Sequence, residues 1–254
     1  MAHIWEQKLL KGFKIQYNKL FTSASLIIIM GCLLQADEYG TIVTSRPDAA
    51  NPTSAVPSGF YQFEIGTRLL TGPGMDTTFS IPALLRMGVY KNTELQVAYA
   101  SEYLSLGVLY GGISFLDGLE NSIILTTSLS ENNDSLTEYS AYLPISYSFN
   151  NGFSVWGEVA GTVINTDDRD PVISYSLAVG NSLFERTSWF FESYQSRLKD
   201  QDAPPFSINY GFTYLSADNV QFDISMGVLL EKDDKIYKES SRYIELGFSL
   251  RLPY

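Results

Sequence analysis

The feature that most constrains this chain is a two-residue alternation that recurs from residue 59 to the C-terminus. In "FSINYGFTYL", Phe206, Ile208, Tyr210, Phe212 and Tyr214 share one side, and Ser207, Asn209, Gly211 and Thr213 share the other. "VQFDISMGV" sets Phe222, Ile224 and Met226 against Gln221, Asp223, Ser225 and Gly227. "YIELGFSLRLPY" sets Ile244, Leu246, Phe248, Leu250 and Leu252 against Glu245, Gly247, Ser249 and Arg251. About twelve such segments follow one another, each close to the length that crosses a bilayer at a tilt. Helical periodicity is sustained nowhere in this region.

A soluble β-sandwich also alternates, so the connections decide. Starting from the first segment, the odd gaps include "SENNDSLTE", "NTDDRDP", "KDQDAPP" and "EKDDKIYKESS", which are long or strongly charged. The even gaps include "YKN", "DG", "NNG", "FERT" and "SADN", which are short turn signals. Long loops on one side and tight turns on the other belong to an outer-membrane barrel. Moreover, the polar face carries Ser, Gly, Asn, Glu and Arg, less charge than a sandwich exterior would show. A mean hydropathy of -0.02 suits strands with one face to lipid and one to a polar lumen. The expected fold is all-β: a transmembrane antiparallel β-barrel of about 12 strands, closed because hydrocarbon leaves no partner for an open edge.

The N-terminus reads as a secretory signal. Lys8, Lys11, Lys14 and Lys19 precede an apolar run from Leu20 to Leu34, with cleavage expected after Ala36. A retained anchor is the alternative, although the apolar run is short for a spanning helix. Lipidation at Cys32 is a further alternative, from the loose lipobox "IMGC". The expected organisation is a signal peptide over 1–36, a periplasmic lead-in over 37–58 and the barrel over 59–254.

Removing the leader excludes much chemistry. His3 and Cys32, the single histidine and the single cysteine, leave with it. Four lysines and one glutamate also leave, so 13 basic and 27 acidic residues remain, a net charge of −14. Such a chain has no thiol nucleophile, no histidine base and no His/Cys metal cluster. No Gly-rich phosphate loop is present, and the acidity excludes a broad phosphate-binding surface, so nucleic acid is not an expected partner. Neither enzyme activity nor a cofactor is expected. Asp167, Asp168 and Asp170 cluster in "NTDDRDP" but lack calcium-loop spacing, and read as a solvated acidic loop rather than a metal site.

Two stretches resemble known sequences. The C-terminus resembles the outer-membrane targeting signal of Gram-negative barrels, carried here by Glu245, Gly247, Leu250, Leu252 and Tyr254. That resemblance implies recognition by the barrel-assembly machinery, with outer-membrane lipid and lipopolysaccharide as surroundings. "SRPDAANPTSAVPSGFYQFEIG" and "TTFSIPALLRMGVYKNTELQVAY" resemble the outer-membrane family labelled "MetA-pathway of phenol degradation". Its marks are matched by Arg46, Pro47 and Asp48, by Pro57 and Gly59, by Glu64, by Pro82, Arg86 and Gly88, and by Glu94 and Leu95. The resemblance covers the first two hairpins. It implies an outer-membrane protein that moves small organic molecules, with no solute and no catalytic residues specified.

Alternation parity turns Glu64, Arg68, Arg86, Glu94, Gln96, Glu158, Glu192, Asp223, Glu245 and Arg251 toward the lumen. Charge facing lipid is costly. These residues form either a selectivity lining or a bracing network, with Arg68 and Arg86 pairing Glu64, Glu94 or Glu245 across the closing seam. The acidic excess favours cations or neutral solutes over phosphate-like anions. Trp156, Tyr142, Phe190 and Tyr194 also point inward, either as a slide for aromatic solutes or as filling. The lead-in "SRPDAANPTSAVPS" reads as extended periplasmic backbone, and its Arg46-Pro47-Asp48 patch as a spacer, a cap on the barrel mouth or a small inward plug. Two functions are therefore open: a passive channel for small, aromatic or hydrophobic organic solutes, and a structural or surface-interaction barrel with a filled lumen.

Overall fold

A computed structural model of the chain describes residues 40–45, 50–100, 103–130, 137–164, 171–198, 205–233 and 236–254. The leader with Cys32, the Arg46-Pro47-Asp48 patch and the Asp167, Asp168 and Asp170 loop lie outside the described residues. From Thr41 onward the chain forms a single compact unit.

Among the described residues, the alternating segments become thirteen strands. These are β1 (Phe60–Gly72), β2 (Met75–Ser80), β3 (Ala83–Tyr90), β4 (Thr93–Ala100), β5 (Tyr103–Leu116), β6 (Leu119–Ser130) and β7 (Thr137–Ser148). They continue as β8 (Phe153–Ile164), β9 (Val172–Phe184), β10 (Thr187–Leu198), β11 (Phe206–Ala217), β12 (Val220–Asp233) and β13 (Ile236–Pro253). Pairing is antiparallel throughout, and β13 returns to β1 from Phe60↔Pro253 to Thr71↔Arg242, so the sheet closes. β2 and β3 are two pieces of one stave. β2 pairs with the far end of β1 (Arg68↔Ser80), and β3 pairs with its start (Tyr61↔Met87). The break falls at Ile81 and Pro82, where proline can donate no ladder bond. Counted as staves, the barrel is twelve-stranded.

Tight turns and both strand termini of the seam share one end, here the turn end. Asn92 (φ 60°) and Gly118 (φ 81°) supply the left-handed conformations that such short hairpins need. The opposite, loop end carries one departure from the sequence reading. Much of "EKDDKIYKESS" continues the β12–β13 ladder past the barrel wall as far as Asp233↔Ile236, with a register shift after Leu229. Beyond the wall neither face of this hairpin is fixed by lipid or lumen, so its residues carry no alternation to read.

Burial is inverted relative to a water-soluble core. Phe63, Ile65, Leu95, Val97, Leu106, Leu125, Leu143, Leu177 and Leu246 stand exposed on the outer wall. Glu64, Arg86, Glu94 and Glu192 are at most 2 % exposed inside it. An apolar exterior around a polar interior is the solution for a sheet in hydrocarbon, where each strand must bury its polar face.

Candidate functional site

The inward faces enclose a lumen whose turn half is filled by the chain's own N-terminal segment. Residues 41–45 and 50–57 have no regular secondary structure, yet Ile42, Ala50 and Val56 are at most 4 % exposed. Their backbone bonds reach inward side chains around most of the circumference. Ser45 N–H donates to both oxygens of Glu64 on β1 (3.2 and 3.0 Å), and Val56 N–H to Glu94 Oε2 on β4 (2.6 Å). Asn51 N–H and Nδ2 both donate to Glu158 Oε2 on β8 (3.0 and 2.8 Å), and Ala50 N–H to Glu192 Oε1 on β10 (3.1 Å). Only a segment inside the barrel can meet β1, β4, β8 and β10 together. Of the lead-in expected over 37–58, the described residues 41–45 and 50–57 thus lie inside the barrel, as a small inward plug rather than as extended backbone outside it.

The physical reason is polar satisfaction. A non-periodic, proline-punctuated segment cannot pair its own amides, and inward carboxylates cannot remain buried without donors. Each solves the other's problem through charge-assisted N–H···O⁻ bonds. The plug carbonyls are met as well. Val43 O accepts from Gln62 Nε2 (2.7 Å) and Arg86 Nη1 (2.8 Å), and Ser54 O from Arg86 Nη2 (3.0 Å). Ser122 Oγ donates to Pro52 O (2.9 Å), and Gly112 N–H to Thr53 O (2.6 Å).

Arg86 is the centre of this arrangement. Its guanidinium grips Glu94 in bidentate fashion (2.8 and 2.9 Å) and reaches Glu64 at 3.2 Å, with all three side chains fully buried. One cation between two carboxylates leaves a net negative charge. Gln62 and Gln96 side-chain amides (2.8 and 2.7 Å) and the plug amides at Ser45 and Val56 spread that charge. On the closing seam Arg68 is ion-paired with Glu245 and lies 4.6 Å over the Tyr243 ring. Arg251 reaches Thr41 O at 3.5 Å and faces the Phe60 ring.

Two wall glycines admit the plug. A side chain at Gly88 would begin 2.1 Å from Pro57 O, and one at Gly111 would begin 2.6 Å from Thr53 O. Gly59 N–H also donates to Gly88 O, and Tyr254 bonds Gly59 O through its N–H and Gly88 O through its hydroxyl (both 2.8 Å). Pro57, Gly59, Glu64, Arg86, Gly88 and Glu94, which the sequence presented as family marks, thus meet at one joint between plug and wall. No local signal disclosed that joint, because plug and wall meet through the plug backbone at separations of 19 to 43 residues.

The inward aromatics lie along the wall. Phe190 packs over Gly211, Tyr243 over Gly227 and Trp156 over Gly180; in each case an added Cβ would stand within 2.8 Å of the ring. Asp223 lies against Gly247 in the same way. Gly247 thus has a role inside the barrel, while Leu250 faces Val220 and Phe63 across its two ladders and is buried, and Leu252 pairs with Tyr61. Above the plug the loop half keeps a cavity of about 600 Å³. Tyr142, Tyr194, Tyr243, Thr162, Ser174 and Glu158 help to line it, and Asn51 of the plug forms part of its floor.

No protein-family model matches the chain, and no curated protein matches its sequence. Solved structures do resemble it. An outer-membrane channel from Pseudomonas putida F1 has a TM-score of 0.57 at 9 % identity, over 79 % of this chain and 98 % of that one. The KdgM porin in complex with disordered oligogalacturonate has a TM-score of 0.56 at 10 % identity, over 74 % and 98 %. The CymD monoaromatic hydrocarbon channel has a TM-score of 0.52 at 9 % identity, over 78 % and 89 %. At such identities the likeness is one of fold. This chain has the closed-barrel fold of outer-membrane channels.

Proposed function

We propose that this protein is a passive channel of the bacterial outer membrane for small organic solutes, closed from its turn end by the plug of residues 41–45 and 50–57. The observation that carries the reading is the manner of closure. The plug is held by hydrogen bonds through its backbone, below a cavity already open in the loop half. Displacing it would join the two halves without breaking a ladder bond. In this reading the turn end faces the periplasm, Gly247, Leu250, Leu252 and Tyr254 serve the barrel-assembly machinery, and the outer wall meets outer-membrane lipid and lipopolysaccharide. The chain passes solutes and does not transform them.

The name of the monoaromatic hydrocarbon channel and the resemblance to the phenol-degradation family favour an aromatic or hydrophobic solute. A second reading has support too: the same carboxylate–amide bonds would suit a barrel whose lumen stays filled and whose work is structural or at its surface. Solute uptake by liposomes containing the purified barrel separates the two. Swelling in small neutral organic solutes, above that of protein-free liposomes, is the result expected of a channel. Liposomes that take up none, with a barrel whose gel migration still shifts on boiling, would favour the filled structural barrel.

A further inference from the structure

Among the described residues, one carboxylate lining the luminal cavity has no cationic partner. Arg86 answers Glu64 and Glu94, and Arg68 answers Glu245. Glu158 is 7 % exposed, lines the cavity and, among the described residues, takes bonds from Asn51 alone, both on Oε2. A buried carboxylate answered by one neutral residue leaves electrostatic attraction unspent.

The register fixes what surrounds it. Glu158 pairs across to Ser176 on β9, and Ser176 pairs across to Tyr194 on β10, so the three share one inward row. One inward step toward the loop end, Ala160 pairs with Tyr142 on one side and Ser174 on the other. Ala160 is small, so the wall between the two tyrosines is recessed. Tyr194 is held in place by bonds to Ser196 (2.6 Å) and Ser174 (3.4 Å), leaving its ring to the cavity. A carboxylate between aromatic rings is a combination that attracts a positive nitrogen, through an ion pair at one end and cation–π contact around it. The Arg68 guanidinium over the Tyr243 ring uses the same chemistry elsewhere in the cavity.

We propose that this cavity is a binding site for a small organic ammonium ion, its charged nitrogen on Glu158 and its carbon frame against Tyr142 and Tyr194. The site rests on the channel reading only for its access route. Both Asn51 bonds fall on Oε2, so Oε1 is the oxygen that receives the ammonium while the plug keeps its hold on the other.

Calorimetric titration of the folded full-length barrel in detergent tests the site with phenethylamine, 2-phenylethanol and phenylacetate, which share one ring and differ in charge. Phenethylamine is expected to bind at least tenfold tighter than the alcohol, with phenylacetate weaker still. Glu158→Gln is expected to erase the advantage of the amine over the alcohol. Equal affinity for amine and alcohol in the unmodified barrel would overturn the proposal, and that comparison needs no variant. A full amine preference retained in folded Glu158→Gln would overturn it as well. An amine preference in a barrel that passes no solute would remove the channel reading and keep the site; solute passage without amine preference would do the reverse.

Discussion

The two halves of the lumen are built by the same strands on the same parity, and their chemistry differs. The turn half concentrates Glu64, Arg86, Glu94 and Glu192, each at most 2 % exposed, and is filled by backbone. The loop half is dominated by hydroxyls that satisfy one another across strands, as in Ser105–Ser128 (2.6 Å), Ser140–Thr162 (2.8 Å) and Ser174–Ser196 (2.8 Å), and it keeps its cavity. A hydroxyl can donate and accept, so a pair of them is self-sufficient. A carboxylate can only accept. Burying several of them obliges the barrel to import donors, and the N-terminal segment supplies amides that have no ladder of their own. The difference between acceptor-only and bifunctional side chains thus decides which half is closed.

The largest break in that contrast should come from Arg86→Ala. It leaves Glu64 and Glu94 buried against each other without their cation, at a cost of about 3–5 kcal/mol. The urea midpoint in lipid vesicles should fall accordingly, and an unchanged midpoint would mean the charged half does not depend on its central cation. Next comes Gly88→Val. The new side chain would begin 2.1 Å from Pro57 O and 2.4 Å from Val56 O, so the plug must leave while the wall stays intact. Residues 41–57 should then become cleavable by added protease with the heat-shifted gel band preserved; continued protection would show that the plug is seated some other way. The smallest effect belongs to the loop half. Ser174→Ala removes a hydroxyl bonded to Ser196 and Tyr194, which still bond each other, and should change stability by within about 0.5 kcal/mol and leave plug protection alone.

How much of this could be read in the sequence follows from the same contrast. The staves were legible because lipid outside and polar groups inside impose a period of two on every spanning strand. The break at Pro82 and the β12–β13 extension were less so, since a stave interrupted at the wall and a hairpin beyond it are set by closure and pairing rather than by alternation. Parity could turn Glu64, Glu94, Glu158 and Glu192 inward, where they are found buried. It offered Arg86 as a partner for Glu64 or Glu94 but could not name the backbone donors, because every residue except proline carries an amide. The plug falls in a proline-punctuated stretch without periodicity, and lack of period looks alike in a spacer and in a segment that borrows its partners from a surrounding wall. Gly88 and Gly111 were the available clue: a glycine on an inward strand face signals close approach of another backbone.

If the plug closes a lumen that otherwise conducts, taking the plug away must open it. Single-channel recording in planar bilayers, comparing the full barrel with one lacking residues 41–57, tests it most directly. The account predicts brief, small openings for the full barrel and a lasting conductance several-fold larger for the plug-free barrel, which still shows its heat-dependent gel shift. A plug-free barrel that is folded and as silent as the intact one would contradict it.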